Sequence, residues 1–182
     1  MTPTVRKAVL TVHVASSVGW LGAVVAYLAL AVAAVTTQEA QTVRAAWIAM
    51  ELTGWSVIVP LAIASLLTGV ANALGTPWGL FRHYWVLVKL LLTVFATAIL
   101  LQHMPAVSSV AAIVTASEHA NLLPAGLRSD LLHAGGGLAV LLATTVLAVY
   151  KPPGTTRYGW RKMHEGPGAV GAVNAAGFGH QH

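Results

Sequence analysis

The chain has 182 residues, of which 57% are hydrophobic and only 8% are charged, whereas soluble domains carry about 25% charged residues. This composition excludes an ordinary soluble domain and predicts one compact helical domain in a membrane. The absence of cysteine excludes disulfides, iron–sulfur clusters, thiolate haem ligation and cysteine nucleophiles. The net charge of +5 does not indicate nucleic acid, because the basic residues lie at segment ends and in the tail, where they act as topology signals and lipid contacts.

Four apolar segments are long enough to cross a bilayer, which takes about 20 residues. They cover residues 5–35, 45–74, 81–104 and 129–150. We therefore predict an all-α fold, a four-transmembrane-helix bundle over residues 1–150, followed by a flexible basic and Gly-rich tail over 151–182. Basic residues are concentrated on one side of this topology, which predicts cytoplasmic termini and a location in the inner (plasma) membrane.

Two prolines interrupt the helical pattern. Pro60 lies inside the second segment and predicts a kink. Pro105 follows the third segment and weakens a straight continuation of that helix. Residues 106–120 are therefore either a bent extension of the third helix or a separate interfacial helix, and the sequence pattern does not decide between them.

The third segment contains one charge between Tyr84 and Leu101, that of Lys89. A lysine inside a transmembrane segment costs roughly 2.5–3.5 kcal/mol on insertion scales, so we expect Lys89 to face the protein interior. Helical spacing places it on one stripe with Trp85 and His103. The alternative is that its amine extends to the lipid headgroups.

Residue counting at about 1.5 Å per residue predicts two polar levels in the membrane. His13 and Lys89 fall at similar depth on the cytoplasmic side. His103 ends the third segment and His133 begins the fourth, so these two can face each other on the other side. Glu51 opens the second segment at a comparable level, although a carboxylate there also suits a helix start.

Two neutral imidazoles from facing helices can fill both axial positions of a haem iron. We predict that His103 and His133 do so, with Gly136 and Gly137 leaving room for the macrocycle and Glu51 accepting a hydrogen bond from a ring nitrogen. His13 is the other candidate ligand, because it can reach a haem placed nearer the middle. The simpler interpretation is that the histidines are hydrogen-bonded packing residues and the glycines a helix-packing surface.

Two motifs resemble those of known membrane-protein families. His13-x6-Trp20-Leu21-Gly22 and Trp85-x3-Lys89-Leu-Leu resemble the HemJ-type protoporphyrinogen oxidases and the CopD copper-resistance membrane proteins. The motifs LLTG, WGLFRHYWVLVK, HAGGGL and YKPPG are similar to those of a bacterial four-helix membrane family related to both. The resemblance implies haem b and a porphyrinogen ligand, with His13 and Lys89 at the key positions. Residues 26–29 replace the Leu-Pro-Arg stretch of HemJ, so porphyrin binding is implied more than oxidase activity.

The main hypothesis is a b-type haem protein with one or two haem b groups, functioning in electron transfer or porphyrin-related redox chemistry. His13 and Lys89 would bind a second haem, its propionates, a porphyrin or a quinone. A copper-handling protein is the first alternative, with His and Met ligands clustered on the non-cytoplasmic side: Met50, Glu51, His103, Met104, His119 and His133. A non-catalytic structural subunit is the second. Membrane lipid and a redox partner are the expected contacts, and the sequence does not define an oligomeric state.

Overall fold

The computed structural model describes residues 1–75, 83–116 and 127–152, together with five positions of the tail, Gly154, Thr156, Arg157, Trp160 and Arg161. Of residues 127 and 128 it describes the backbone alone. The elements are α1 (Pro3–Thr36), α2 (Ala40–Thr53), a π-helical turn (Gly54–Ile58), α3 (Val59–Gly75), α4 (Tyr84–Ala116) and α5 (Leu127–Tyr150). The predictions for His119 and for most of the tail lie outside the described residues.

Among the described residues, four helices are long and apolar enough to cross a membrane. They are α1, the continuous unit from α2 through the π-helical turn to α3, then α4, and the Ser129–Tyr150 part of α5. Both α1 and α4 pack against α2, α3 and α5. Each span therefore contacts the spans next to it in the chain and the fourth closes onto the first, as in an up-and-down bundle. The predicted all-α four-helix fold is confirmed.

Sequence signals explain where α1 begins and where α5 ends. Thr2 precedes α1, its Oγ1 accepts a hydrogen bond from the Val5 N–H at 3.4 Å, and Pro3 stands in the first turn, where its missing N–H costs nothing. At the end of α5, Lys151 adopts a positive φ of 42° and Pro152 follows, so the helix stops. These positions lie at one end of the bundle, called here the terminal end. The other is called the opposite end.

A π-helical turn stands just before Pro60, the position where the sequence predicts a kink. Pro60 has no N–H, and its ring would collide with the carbonyl oxygen four residues earlier in a regular α-helix. Just before it, the Val59 N–H bonds to the Gly54 carbonyl oxygen, which widens the turn by one residue. From this turn Trp55 reaches α4, where its Nε1–H donates to Ser108 Oγ at 3.0 Å.

Pro105 does not end the third helix, because α4 continues through it to Ala116. Residues 106–116 are thus an extension of α4. Its 33 residues correspond to about 50 Å, more than the hydrocarbon core of about 30 Å. At the far end Arg44 donates from Nε to the Val114 carbonyl oxygen at 3.1 Å, which satisfies a carbonyl of the last turns.

The largest fully buried side chains lie toward the opposite end of the bundle. They are Trp47 and Met50 of α2 and Met104 and Val107 of α4. Two cavities lie between the helices nearer the middle and the terminal end.

Candidate functional site

Two cavities follow one another along the bundle. The His13 cavity has a volume of about 470 Å³ and lies between α1, α3, α4 and α5. The His133 cavity, nearer the opposite end, has a volume of about 310 Å³ and lies between α1, α4, α5 and Ile58 of the π-helical turn. Trp20 and Leu141 line both. Small-molecule sites range over about 300–1,000 Å³, so both volumes suit a ligand.

His13 is held on α3 through one ring nitrogen. Its Nδ1 lies 3.1 Å from the Ser65 carbonyl oxygen and 3.1 Å from Thr68 Oγ1. A carbonyl oxygen only accepts, and the Thr68 hydroxyl donates to Ala64 at 2.6 Å, so Nδ1 is the protonated nitrogen and donates. Gly69 gives the ring its space, because a Cβ there would lie 3.1 Å from Cε1. Nε2 therefore keeps its lone pair, and the described residues offer it no hydrogen bond.

Lys89 lines the same cavity from α4. Its Nζ lies 4.6 Å from the centroid of the Trp85 ring, a cation–π contact one turn along the helix. No carboxylate in the described part of the chain forms an ion pair with Lys89. The structure thus brings together the imidazole of His13 and the ammonium of Lys89, the two groups that residue counting placed at one depth.

The side chain that meets His103 is Asp130 of α5. His103 Nε2–H donates to Asp130 Oδ1, and the two side chains are only 14% and 4% exposed. A buried carboxylate needs such a partner. The sequence reasoning predicted this acceptor at Glu51, but Glu51 makes no hydrogen bond to His103 or His133 in the described structure. The sequence feature that could have indicated Asp130 is its position one turn before His133, on the same helix face.

The rings of His103 and His133 stack on each other, with centroids 4.0 Å apart and planes inclined by 11°. His133 Nδ1–H donates to the Ser129 carbonyl oxygen at 2.7 Å, which leaves the lone pair on Nε2. Two axial ligands of one haem approach the iron from opposite faces of the macrocycle. Rings in face-to-face contact leave no space for a macrocycle between them, so this arrangement does not fit the predicted shared haem.

The His133 cavity has a mostly apolar wall that also carries the His103 and His133 imidazoles and one hydroxyl. Gly136 and Gly137 line it from α5, and a Cβ on either would meet nothing within 4 Å. Tyr27 lines it from α1 and is 6% exposed. The Tyr27 hydroxyl is buried and has no hydrogen-bond partner among the described residues.

The described residues contain no group of three or more His, Asp or Glu side chains placed to hold a metal ion. Of the residues considered for copper, His119 lies outside the described ranges. Met50 and Met104 are 0% and 1% exposed and pack in the core. A Cβ added to Gly54 would lie 2.7 Å from Met104 Sδ, so this thioether packs directly against the backbone of the π-helical turn.

Comparisons with known proteins do not assign the chain to a family. No protein-family model matches it, and no curated protein or solved structure matches it significantly. The candidate functions are therefore argued from the two cavities and the side chains that line them.

Proposed function

We propose that this chain is a b-type haem membrane protein that holds haem, or a related porphyrin, in the His13 cavity and functions in electron transfer or porphyrin-related redox chemistry. One observation carries the proposal. His13, whose Nε2 keeps its lone pair, and Lys89 line the same cavity. A haem presents an iron that takes a neutral imidazole and propionates that need a cation, and this cavity offers both.

His13 would hold the haem iron, and its hydrogen bond suits it to that role. A metal-bound histidine usually donates its other ring N–H to a carbonyl or carboxylate oxygen, which fixes the ring and raises its basicity. The Nδ1–H of His13 does this with the Ser65 carbonyl oxygen at 3.1 Å, and Nε2 supplies the lone pair. Haem, when bound, supplies one-electron chemistry through its ferric and ferrous states.

Lys89 is suited to pair with the propionates. A carboxylate moved out of water has to be paired with a cation. Lys89 is the one Lys or Arg among the described residues that line the cavity. The Lys89 ammonium contacts the Trp85 ring but has no carboxylate partner in the described structure. A haem propionate would supply that partner.

The test is a visible spectrum of the full-length protein, purified in mild detergent and supplied with haemin, before and after dithionite. We expect an intense Soret band that shifts on reduction. His13→Ala should lower the haem content at least tenfold, while His133→Ala, the same change in the other cavity, should retain it. Loss of haem from His103→Ala and His133→Ala, with full retention by His13→Ala, would overturn the proposal.

A further inference from the structure

We infer that the His133 cavity is a second binding site, for a flat apolar molecule with an oxygen at the edge of its ring, of the quinone or quinol class. This site is separate from the proposed haem site. The inference rests on the shape of the wall, on one buried hydroxyl and on one imidazole nitrogen.

The wall of the cavity suits a flat ring. Trp20 and Phe95 contribute aromatic surface, and Leu100 and Val140 contribute aliphatic surface. On the α5 side Gly136 and Gly137 expose bare backbone, and the space in front of them is open. A cavity of about 310 Å³ is at the lower limit of small-molecule sites, so it takes a small ring system and not a macrocycle.

The Tyr27 hydroxyl is the donor. Buried tyrosine hydroxyls are normally hydrogen-bonded, because an unpaired polar group in an apolar setting is costly. Tyr27 is 6% exposed, lines this cavity and has no partner among the described residues. No hydrogen bond joins the hydroxyl to Asp130 or to any other described residue. The hydroxyl is thus an unpaired donor on a side chain that lines the cavity.

His133 Nε2 is the acceptor. Its Nδ1–H is used by the Ser129 carbonyl oxygen, so Nε2 accepts a hydrogen bond from a ligand hydroxyl. The wall is mostly apolar and also includes His103, whose Nε2–H is used by Asp130. The donor of Tyr27 and the acceptor of His133 match the carbonyl oxygen of a quinone and the hydroxyl of a quinol. A lipid acyl chain would fill the same volume and leave both groups unpaired.

The first experiment measures the affinity of the full-length protein, in detergent micelles, for decylubiquinone by calorimetry. Tyr27→Phe removes only the hydroxyl and should weaken binding about tenfold, the effect of losing one hydrogen bond. Tyr150→Phe makes the same change at an exposed tyrosine and should bind as the parent does. Without quinone, Tyr27→Phe should melt no lower than the parent, since the hydroxyl it lacks was unpaired.

The second experiment fills the cavity. Gly136→Val places a side chain in the open space and should abolish binding of decylubiquinone. Gly135→Val is the matched control, because a Cβ there is equally free but Gly135 does not line the cavity. The His13→Ala protein should still bind the quinone, so failure of the haem proposal leaves this result unaffected.

Three results would overturn the inference. One is equal affinity of Tyr27→Phe and the parent for decylubiquinone. Another is competition by decylbenzene as effective as that of decylubiquinone, which would identify the cavity as an acyl-chain site. The third is a lower melting temperature of ligand-free Tyr27→Phe, which would mean that the hydroxyl bonds within the protein.

Discussion

His13, His103 and His133 each use one ring nitrogen for a hydrogen bond within the protein. The acceptors are the Ser65 carbonyl oxygen, the Asp130 carboxylate and the Ser129 carbonyl oxygen. In a membrane interior an unpaired N–H would cost several kcal/mol, so these bonds hold the rings in place. What distinguishes the three is the surroundings of the second nitrogen, which decide whether a residue is a ligand or a packing group.

We expect the buried carboxylate of Asp130 to stabilise the packing of α4 and α5 near the opposite end. Asp130→Asn keeps the shape but removes the charge-assisted hydrogen bond with His103, so the free energy of unfolding should fall by about 1.5–3 kcal/mol. Chemical denaturation in micelles measures it. Glu39→Gln is the control, since the Glu39 side chain is exposed and its carboxylate accepts a hydrogen bond only from Thr42 in the described structure. This change should cost less than about 1 kcal/mol. Equal losses would contradict the assigned role of Asp130.

We predict that substitution of Lys89 has opposite effects on stability and on haem binding. Lys89→Met removes a charge from the bundle interior and should leave the melting temperature equal or higher. The same variant should bind haemin at least fivefold more weakly, because the propionates lose their cation. Lys7→Met, at an exposed position of α1, is the matched control. If Lys89→Met binds haemin as tightly as the parent, Lys89 only extends toward the headgroups.

At the scale of elements, the spans were predictable because their length and polarity follow from the bilayer. The end of α4 was not, because one proline removes a single hydrogen bond and contacts from the second span outweigh that loss. Trp55 and Arg44 provide them, at Ser108 and Val114. Residue counting likewise grouped His103 with His133, which stack, and His13 with Lys89, which line one cavity.

The side-chain arrangement at the opposite end was beyond sequence reasoning. Asp130 stands at the start of a helix, where a carboxylate is expected to cap, and its bond to His103 depends on how α4 and α5 pack. The stacking of His103 on His133 depends on rotamers, which spacing does not specify.

A side chain at Gly54 of the π-helical turn should destabilise the protein. A Cβ there would lie 2.7 Å from Met104 Sδ, so Gly54→Val must displace a methionine that is 1% exposed. We expect a loss of about 1–3 kcal/mol in the free energy of unfolding, the usual cost of overpacking. Gly22→Val is the control, since a Cβ at Gly22 meets nothing within 4 Å. A similar loss in both variants would show that Met104 does not constrain the turn.

At the scale of the whole molecule, four apolar helices indicate a membrane protein, and the basic residues near the terminal end predict cytoplasmic termini. The lack of cysteine makes this directly testable. Gln38→Cys, in the link between α1 and α2, should react with a membrane-impermeant maleimide in intact cells. Thr156→Cys, after α5, should react only after permeabilisation. The reverse labelling pattern would invert the topology.

Trp20 forms part of the wall of both cavities and is itself 3% exposed. Because the indole has a fixed volume, a shift that enlarges one cavity takes space from the other. If a ligand in one cavity displaces the indole toward the other cavity, it would weaken binding there. Thermodynamic linkage makes that antagonism reciprocal, so the factor by which the first ligand lowers the affinity for the second equals the factor in the other direction.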